Sequence, residues 1–180
     1  LLRRVLQARL DGGLTGHRRA AVLGELAELL GGPLQDPAAA FDARLAAVEA
    51  DPSDPEHHDA ALAAAADGDN AARYQATISR LLDASRRDGD LASRVELQLR
   101  LARINEQRGD LAAASQMLME AEATGARQVD VWRARARVAG AMGDTAAQVE
   151  LLERLTSLGE DQSETRTDAL YRVAEVRLGN

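Results

Sequence analysis

Four times the chain sets a glycine directly before an aspartate between two stretches of helix-forming residues: Gly68-Asp69, Gly89-Asp90, Gly109-Asp110 and Gly143-Asp144. Each half of the pair has its own reason to be there. Glycine enters the left-handed conformation that ends a helix without the steric cost of a Cβ. Aspartate offers a side-chain oxygen to the unpaired N–H groups that begin the next helix. A chain punctuated in this way is predicted to fold as helices joined by tight hinges. Asp36-Pro37 and Asp54-Pro55 give the same start signal in another form, because proline at the first helical position gives up an N–H that had no partner.

Between these marks the sequence predicts helices at about 1–10, 19–31, 37–50, 55–66, 70–86, 91–108, 111–124, 129–142, 145–158 and 164–178. Composition agrees. Alanine supplies 37 of 180 residues and aromatic side chains only 2%, which suits helices and leaves little of the bulk that large sandwich or barrel cores use. Three to four turns with short connections is the pattern of antiparallel helical hairpins. Gly109 and Gly143 lie 34 residues apart, and Asp36 and Asp69 lie 33 apart, so the hairpins are predicted to repeat. Units are expected at about 20–54, 55–90, 91–128 and 129–162, with a half repeat at 163–180. Residues 1–18 read as the end of a preceding repeat plus a loop, and further repeats of the parent chain are expected on both sides.

The period and the residues within it resemble the tetratricopeptide repeat family, whose pattern sets Trp at slot 4, Leu at 7, Gly or Ala at 8, Ala at 20, Phe at 24, Ala at 27 and Pro at 32. In the third unit Leu101 and Ala102 fill slots 7 and 8, and Ala114, Leu118 and Ala121 fill 20, 24 and 27. In the fourth, Trp132, Ala136 and Leu152 match, whereas Arg135 and Gln148 depart from the expected Leu and Ala. The first unit offers Leu26-Ala27, Ala40, Ala47 and Pro52, and Val173-Ala174 begin the pattern again. The resemblance implies an all-α fold, a right-handed α-α superhelix or solenoid of antiparallel helical hairpins. The slots also have a direct physical reading. Small residues let paired helices approach closely, and Leu or Trp fills the grooves between successive hairpins. Leu170, Val173 and Leu178, with no following helix to cover them, are expected to be exposed.

Chemistry is sparse. There is no cysteine, which removes disulfides, thiolate metal sites and cysteine nucleophiles. His57-His58-Asp59 is the one cluster that suggests a metal, but neighbouring helical residues point about 100° apart, and the expectation is a surface first turn with Asp54 as cap. His17 is expected to be solvated in the glycine-rich loop around Gly12, Gly13 and Gly16. Asp67 to Asn70 lacks the ligands of a calcium loop at Ala71 and Ile78 and reads as a hinge. Glu25 with Glu28 and Glu150 with Glu153 share helix faces and read as solvated surface. No catalytic residue, cofactor or metal site is therefore expected, and the chain is not expected to be an enzyme.

The net charge is -7, and all 22 strongly basic residues are arginine. That balance argues against a sequence-independent grip on nucleic acid. The longest apolar run, 60–66, is far too short to span a membrane. The family resemblance implies instead a groove lined by the first helix of each hairpin: Glu96, Leu99, Arg103 and Glu106, then Asp130, Arg133 and Arg137, then Asp168, Tyr171 and Glu175. Its expected occupant is another protein or a peptide segment, acidic or ending in a carboxylate, because the planar guanidinium matches a carboxylate in two places. A regulatory or sensor region of a larger protein, docking on its own effector domain, is the alternative.

Overall fold

Helices account for the regular structure: among the residues that the computed structural model describes, 1–65, 68–157 and 163–178, there are ten α-helices and no strand. They are α1 (Leu2–Asp11), α2 (Gly16–Gly31), α3 (Pro37–Ala50), α4 (Pro55–Ala64), α5 (Gly68–Asp88), α6 (Leu91–Gln107), α7 (Leu111–Glu122), α8 (Gln128–Met142), α9 (Thr145–Thr156) and α10 (Ser163–Leu178). No helix among the described residues is long and apolar enough to cross a membrane.

The start signals work as local chemistry predicts. Asp36, Asp110 and Asp144 each accept the N–H three residues on, from Ala39, Ala113 and Ala147, all at 3.0 Å. Asp90 accepts both the N–H (3.1 Å) and the hydroxyl (2.5 Å) of Ser93, and that hydroxyl bond, against burial, holds the Asp90 carboxyl below its usual range. Gly109 and Gly143 take φ of +80° and +77°, a region costly for any residue with a Cβ. Gly68-Asp69 differs. It lies in the first turn of α5 rather than in a hinge, because that helix begins two residues earlier than expected, and Asp67 lies outside the described residues.

The chain divides into two units, Leu1–Leu97 and Gln98–Asn180. In the first, α2 lays Leu23, Leu26 and Leu30 against Ala40, Ala43 and Ala47 of α3. The alanine face lets the helices close in, to the point that a Cβ on Gly31 would sit 3.3 Å from that of Ala40. In the second, Leu118 of α7 packs with Ala102, Ala114, Ala134 and Val138, while Leu151, Leu152 and Leu155 of α9 pack with Ala136, Ala169 and Val173.

Several side-chain pairs that bridge helices recur at 31 or 32 residues, a little under the 33 and 34 read from the sequence. In the first unit Asp42 meets Arg73 and Glu49 meets Arg80, both 31 residues on. In the second, Glu106 meets Arg137 after 31 residues, Glu122 meets Arg154 after 32 and Arg133 meets Thr165 after 32. These pairs join α3 to α5, α6 to α8, α7 to α9 and α8 to α10, in each case a helix to the one two places along. That is a helical-repeat-like all-α architecture. Most of these pairs are exposed and contribute about 0–1 kcal/mol each, so they report register more than they hold it.

Several local expectations need correcting. His58 is fully buried rather than on a surface turn: one ring nitrogen lies 3.0 Å from the Pro52 carbonyl oxygen and the other 3.0 Å from the Tyr74 hydroxyl. A carbonyl only accepts, so Nε2 carries a proton, and in the neutral ring Nδ1 accepts from Tyr74. His17 belongs to the first turn of α2, not to the loop before it. Val173 is buried against α9, whereas Leu170 and Leu178 are exposed as expected.

Candidate binding cleft

Arg133 and Arg137 stand one turn apart on α8, which puts both guanidinium groups on one face. Asp168 and Arg172 are spaced the same way on α10 and pair at 3.1 Å. Between the two helices lies α9, whose Leu152 and Leu155, with Ala136 of α8, are buried and form an apolar floor. These residues and Gln148 line a cleft of about 280 Å³ within the second unit. Gln148 occupies the slot at which the repeat pattern sets alanine. Gly140 makes room for it, since a Cβ there would meet the Gln148 Nε2 at 2.6 Å.

The arginines are held differently. Arg137 donates from Nε to both carboxylate oxygens of Glu106, at 2.8 and 2.9 Å. Arg103 reaches the same carboxylate at 3.4 Å. Burial pushes the Glu106 carboxyl up, but Arg137, by hydrogen bond and charge, and then Arg103 hold it below its ordinary value near 4.5. Arg133 donates instead to the hydroxyl of Thr165, a neutral group. The lining thus brings three guanidinium groups against one carboxylate, over a floor without charge.

The lowered Glu106 sets a pH dependence. A carboxyl that ionises more readily folded than unfolded stabilises the fold above its ordinary value near 4.5, and that contribution is lost as pH falls through the folded value. Glu106→Gln is therefore expected to melt at a lower temperature than the parent at pH 7 and to converge with it in strong acid. A gap in Tm that is the same at pH 7 and pH 3 counts against this assignment.

Of the groove residues expected from sequence, Arg133, Arg137 and Asp168 line the cleft. Glu106 lies beside it through Arg137. Leu99, Arg103, Asp130, Tyr171 and Glu175 lie outside its lining: Leu99 packs partly into the core around Leu118, Asp130 pairs with Arg127 at 2.9 Å, and Tyr171 and Glu175 are exposed elsewhere on α10. Glu96 is a correction, since only 1% of it is accessible and it offers no groove surface. Arg172 and Gln148 were not anticipated. The signal for Arg172 was its position four residues after Asp168; Gln148 had none, because it comes from a second helix of a hairpin.

No protein-family model, curated protein or solved structure matches this chain.

Proposed function

We propose that the chain is a non-catalytic protein-interaction segment, built of tetratricopeptide-like hairpins stacked as a right-handed superhelix, that binds an acidic partner segment. The α8–α10 cleft is the binding site in this reading. The observation that supports it best is the cleft itself, an uncharged floor of Ala136, Leu152 and Leu155 rimmed by Arg133, Arg137 and Arg172. A floor of that kind accepts one apolar side chain. The guanidinium groups accept carboxylates, and Arg133, whose partner is neutral, gives up the least on binding. A peptide end that combines an apolar side chain with its terminal carboxylate and a neighbouring Asp or Glu fits both features.

The test is fluorescence anisotropy of the full chain with a labelled acidic peptide ending in leucine, offered with a free or an amidated terminus. The free acid is expected to bind more tightly, and Arg133→Glu with Arg172→Glu is expected to weaken it by roughly tenfold or more. Equal binding by both termini, or by parent and variant, rejects the cleft as the site.

A further inference from the structure

A second cluster lies in the first unit, away from the arginine cleft. His17, in the first turn of α2, faces the loop between α3 and α4. Its Nδ1 lies 3.2 Å from Asp51 Oδ2 and 3.8 Å from Asp54 Oδ2, and the three ligand atoms fall within 4.8 Å of one another. His57 Nε2 lies 3.6 Å from the same Asp54 oxygen. Ligands held about 2.0–2.1 Å from a zinc ion in a tetrahedron are separated by about 3.3 Å, so the His17, Asp51 and Asp54 atoms need only small side-chain adjustments to share one ion.

The ligand atoms are presented rather than merely adjacent. Each carboxylate has one oxygen already engaged: Ser53 donates its hydroxyl to Asp51 Oδ1 at 2.8 Å, and the Glu56 N–H donates to Asp54 Oδ1 at 2.9 Å. Both remaining Oδ2 atoms turn toward His17. Hydrogen bonds of this kind fix a ligand's orientation before the ion arrives. The loop is held from behind as well, because the buried His58 bonds the Pro52 carbonyl and the Tyr74 hydroxyl.

Beside the three ligand atoms, His57 Nε2 is a buried nitrogen that makes no hydrogen bond among the described residues, though it stands 3.6 Å from Asp54 Oδ2. A buried polar atom left in that state is costly unless something else satisfies it. An opening of about 420 Å³ reaches the cluster, lined by His17, Asp54 and His57 and also by Glu25, Glu28 and Glu56, which outnumber the one cation on its wall, Arg44. These acids favour entry of a cation. Charge also balances, since two carboxylates and one neutral imidazole around a divalent ion leave a neutral site. Imidazole and carboxylate without thiolate select a borderline metal of the zinc type over calcium or magnesium, which prefer oxygen alone.

We infer that His17, Asp51 and Asp54 bind one divalent zinc-type cation, with water completing its coordination, and so tie the start of α2 to the α3–α4 loop. The experiment is titration of the full chain with Zn2+ by calorimetry, and with Co2+ by visible absorption, which reports four-coordinate geometry directly. One ion per chain and a rise in Tm on adding Zn2+ are expected. His17→Ala and Asp51→Asn are each expected to weaken Zn2+ by at least about tenfold. The His17 side chain is 74% exposed, so its removal leaves the fold in place, as circular dichroism without metal will check. His57→Gln is expected to leave one Zn2+ ion bound per chain, because His57 stands outside the three ligand atoms. No saturable Zn2+ binding, or binding unchanged in His17→Ala and Asp51→Asn, overturns the site. Loss of Zn2+ binding in His57→Gln overturns the ligand set.

Discussion

Replacing Glu122 with alanine is expected to lower the stability of the second unit by about 3 kcal/mol, because one carboxylate at the end of α7 serves three donors. Trp132 Nε1 donates to it at 2.9 Å, Arg154 reaches it at 2.9 Å, and Arg135 bonds its second oxygen. These bonds differ in weight. Arg154 is 44% exposed and also pairs with Glu150, so its share is small. Arg135 and Glu122 are only 24% and 21% exposed, and most of the loss comes from there. Burial, followed by the like charge of Arg154, already disfavours the Arg135 cation and holds it below the ordinary guanidinium range. It nonetheless stays charged at neutral pH, so deleting Glu122 removes the carboxylate bonded to a largely buried cation and leaves it only the weaker field of Glu150. Glu122→Gln keeps an oxygen for Trp132 and is expected to cost about half as much. The measurement is urea denaturation followed by the fluorescence of Trp132, the only tryptophan. If Glu122→Ala and Glu122→Gln cost the same, the charge on Glu122 is irrelevant and the network account fails. A double-mutant cycle with Arg135→Met is expected to recover part of the loss, as two coupled groups should.

The sequence made the helices legible and left most of the partnerships dark, and the reason is range. A cap is settled within four residues: Asp110 needs only Ala113, and Pro37 needs only the helix that it starts. α3 accordingly spans the residues expected, and α8 begins one residue early. The 34-residue step between Gly109 and Gly143 was legible for the same reason, being a recurrence of local signals. By contrast, His58 looked like a surface residue because nothing near it in the chain shows that Tyr74, sixteen residues on, supplies a buried partner. His17 and Asp51 are 34 residues apart and meet only because α2 and α3 form a hairpin.

Glu96 fails for a different reason. Reading a helix as one buried face and one wet face assumes amphipathicity. Val95, Glu96, Leu97 and Gln98 are all buried, so α6 has no wet face at that level and no slot rule can predict one. The cleft was half legible. Arg133 and Arg137 belong to the groove expected from the resemblance, whereas Gln148 and the leucine floor come from α9, from which no groove residue was expected.

Leu118→Ala is expected to cost about 3–4 kcal/mol, as much as any single change in the second unit. Burial alone does not set that figure. Leu118 is wholly inaccessible, and its removal forfeits the transfer of three carbons plus whatever cavity remains. The cavity decides the rest. Its buried neighbours are Ala102, Ala114, Ala134 and Val138, short side chains on α6, α7 and α8 that cannot swing inward. Only Leu99 and Met117, partly buried at the margin, have the length to do so. The site should therefore collapse poorly and the cost should lie in the upper part of the range for such changes. Leu118→Met keeps the volume and is expected to cost less than about 1.5 kcal/mol. The loss also bears on function, because α8 rests on α7 through this cluster and presents Arg133 and Arg137 to the cleft. Loosening that packing lowers the population of a correctly placed α8. Leu118→Ala should consequently weaken binding of the acidic peptide while leaving Zn2+ affinity in the first unit unchanged. A cost below about 1.5 kcal/mol by Trp132-monitored denaturation means that Met117 and Leu99 refill the space, and the packing account of this cluster is then wrong.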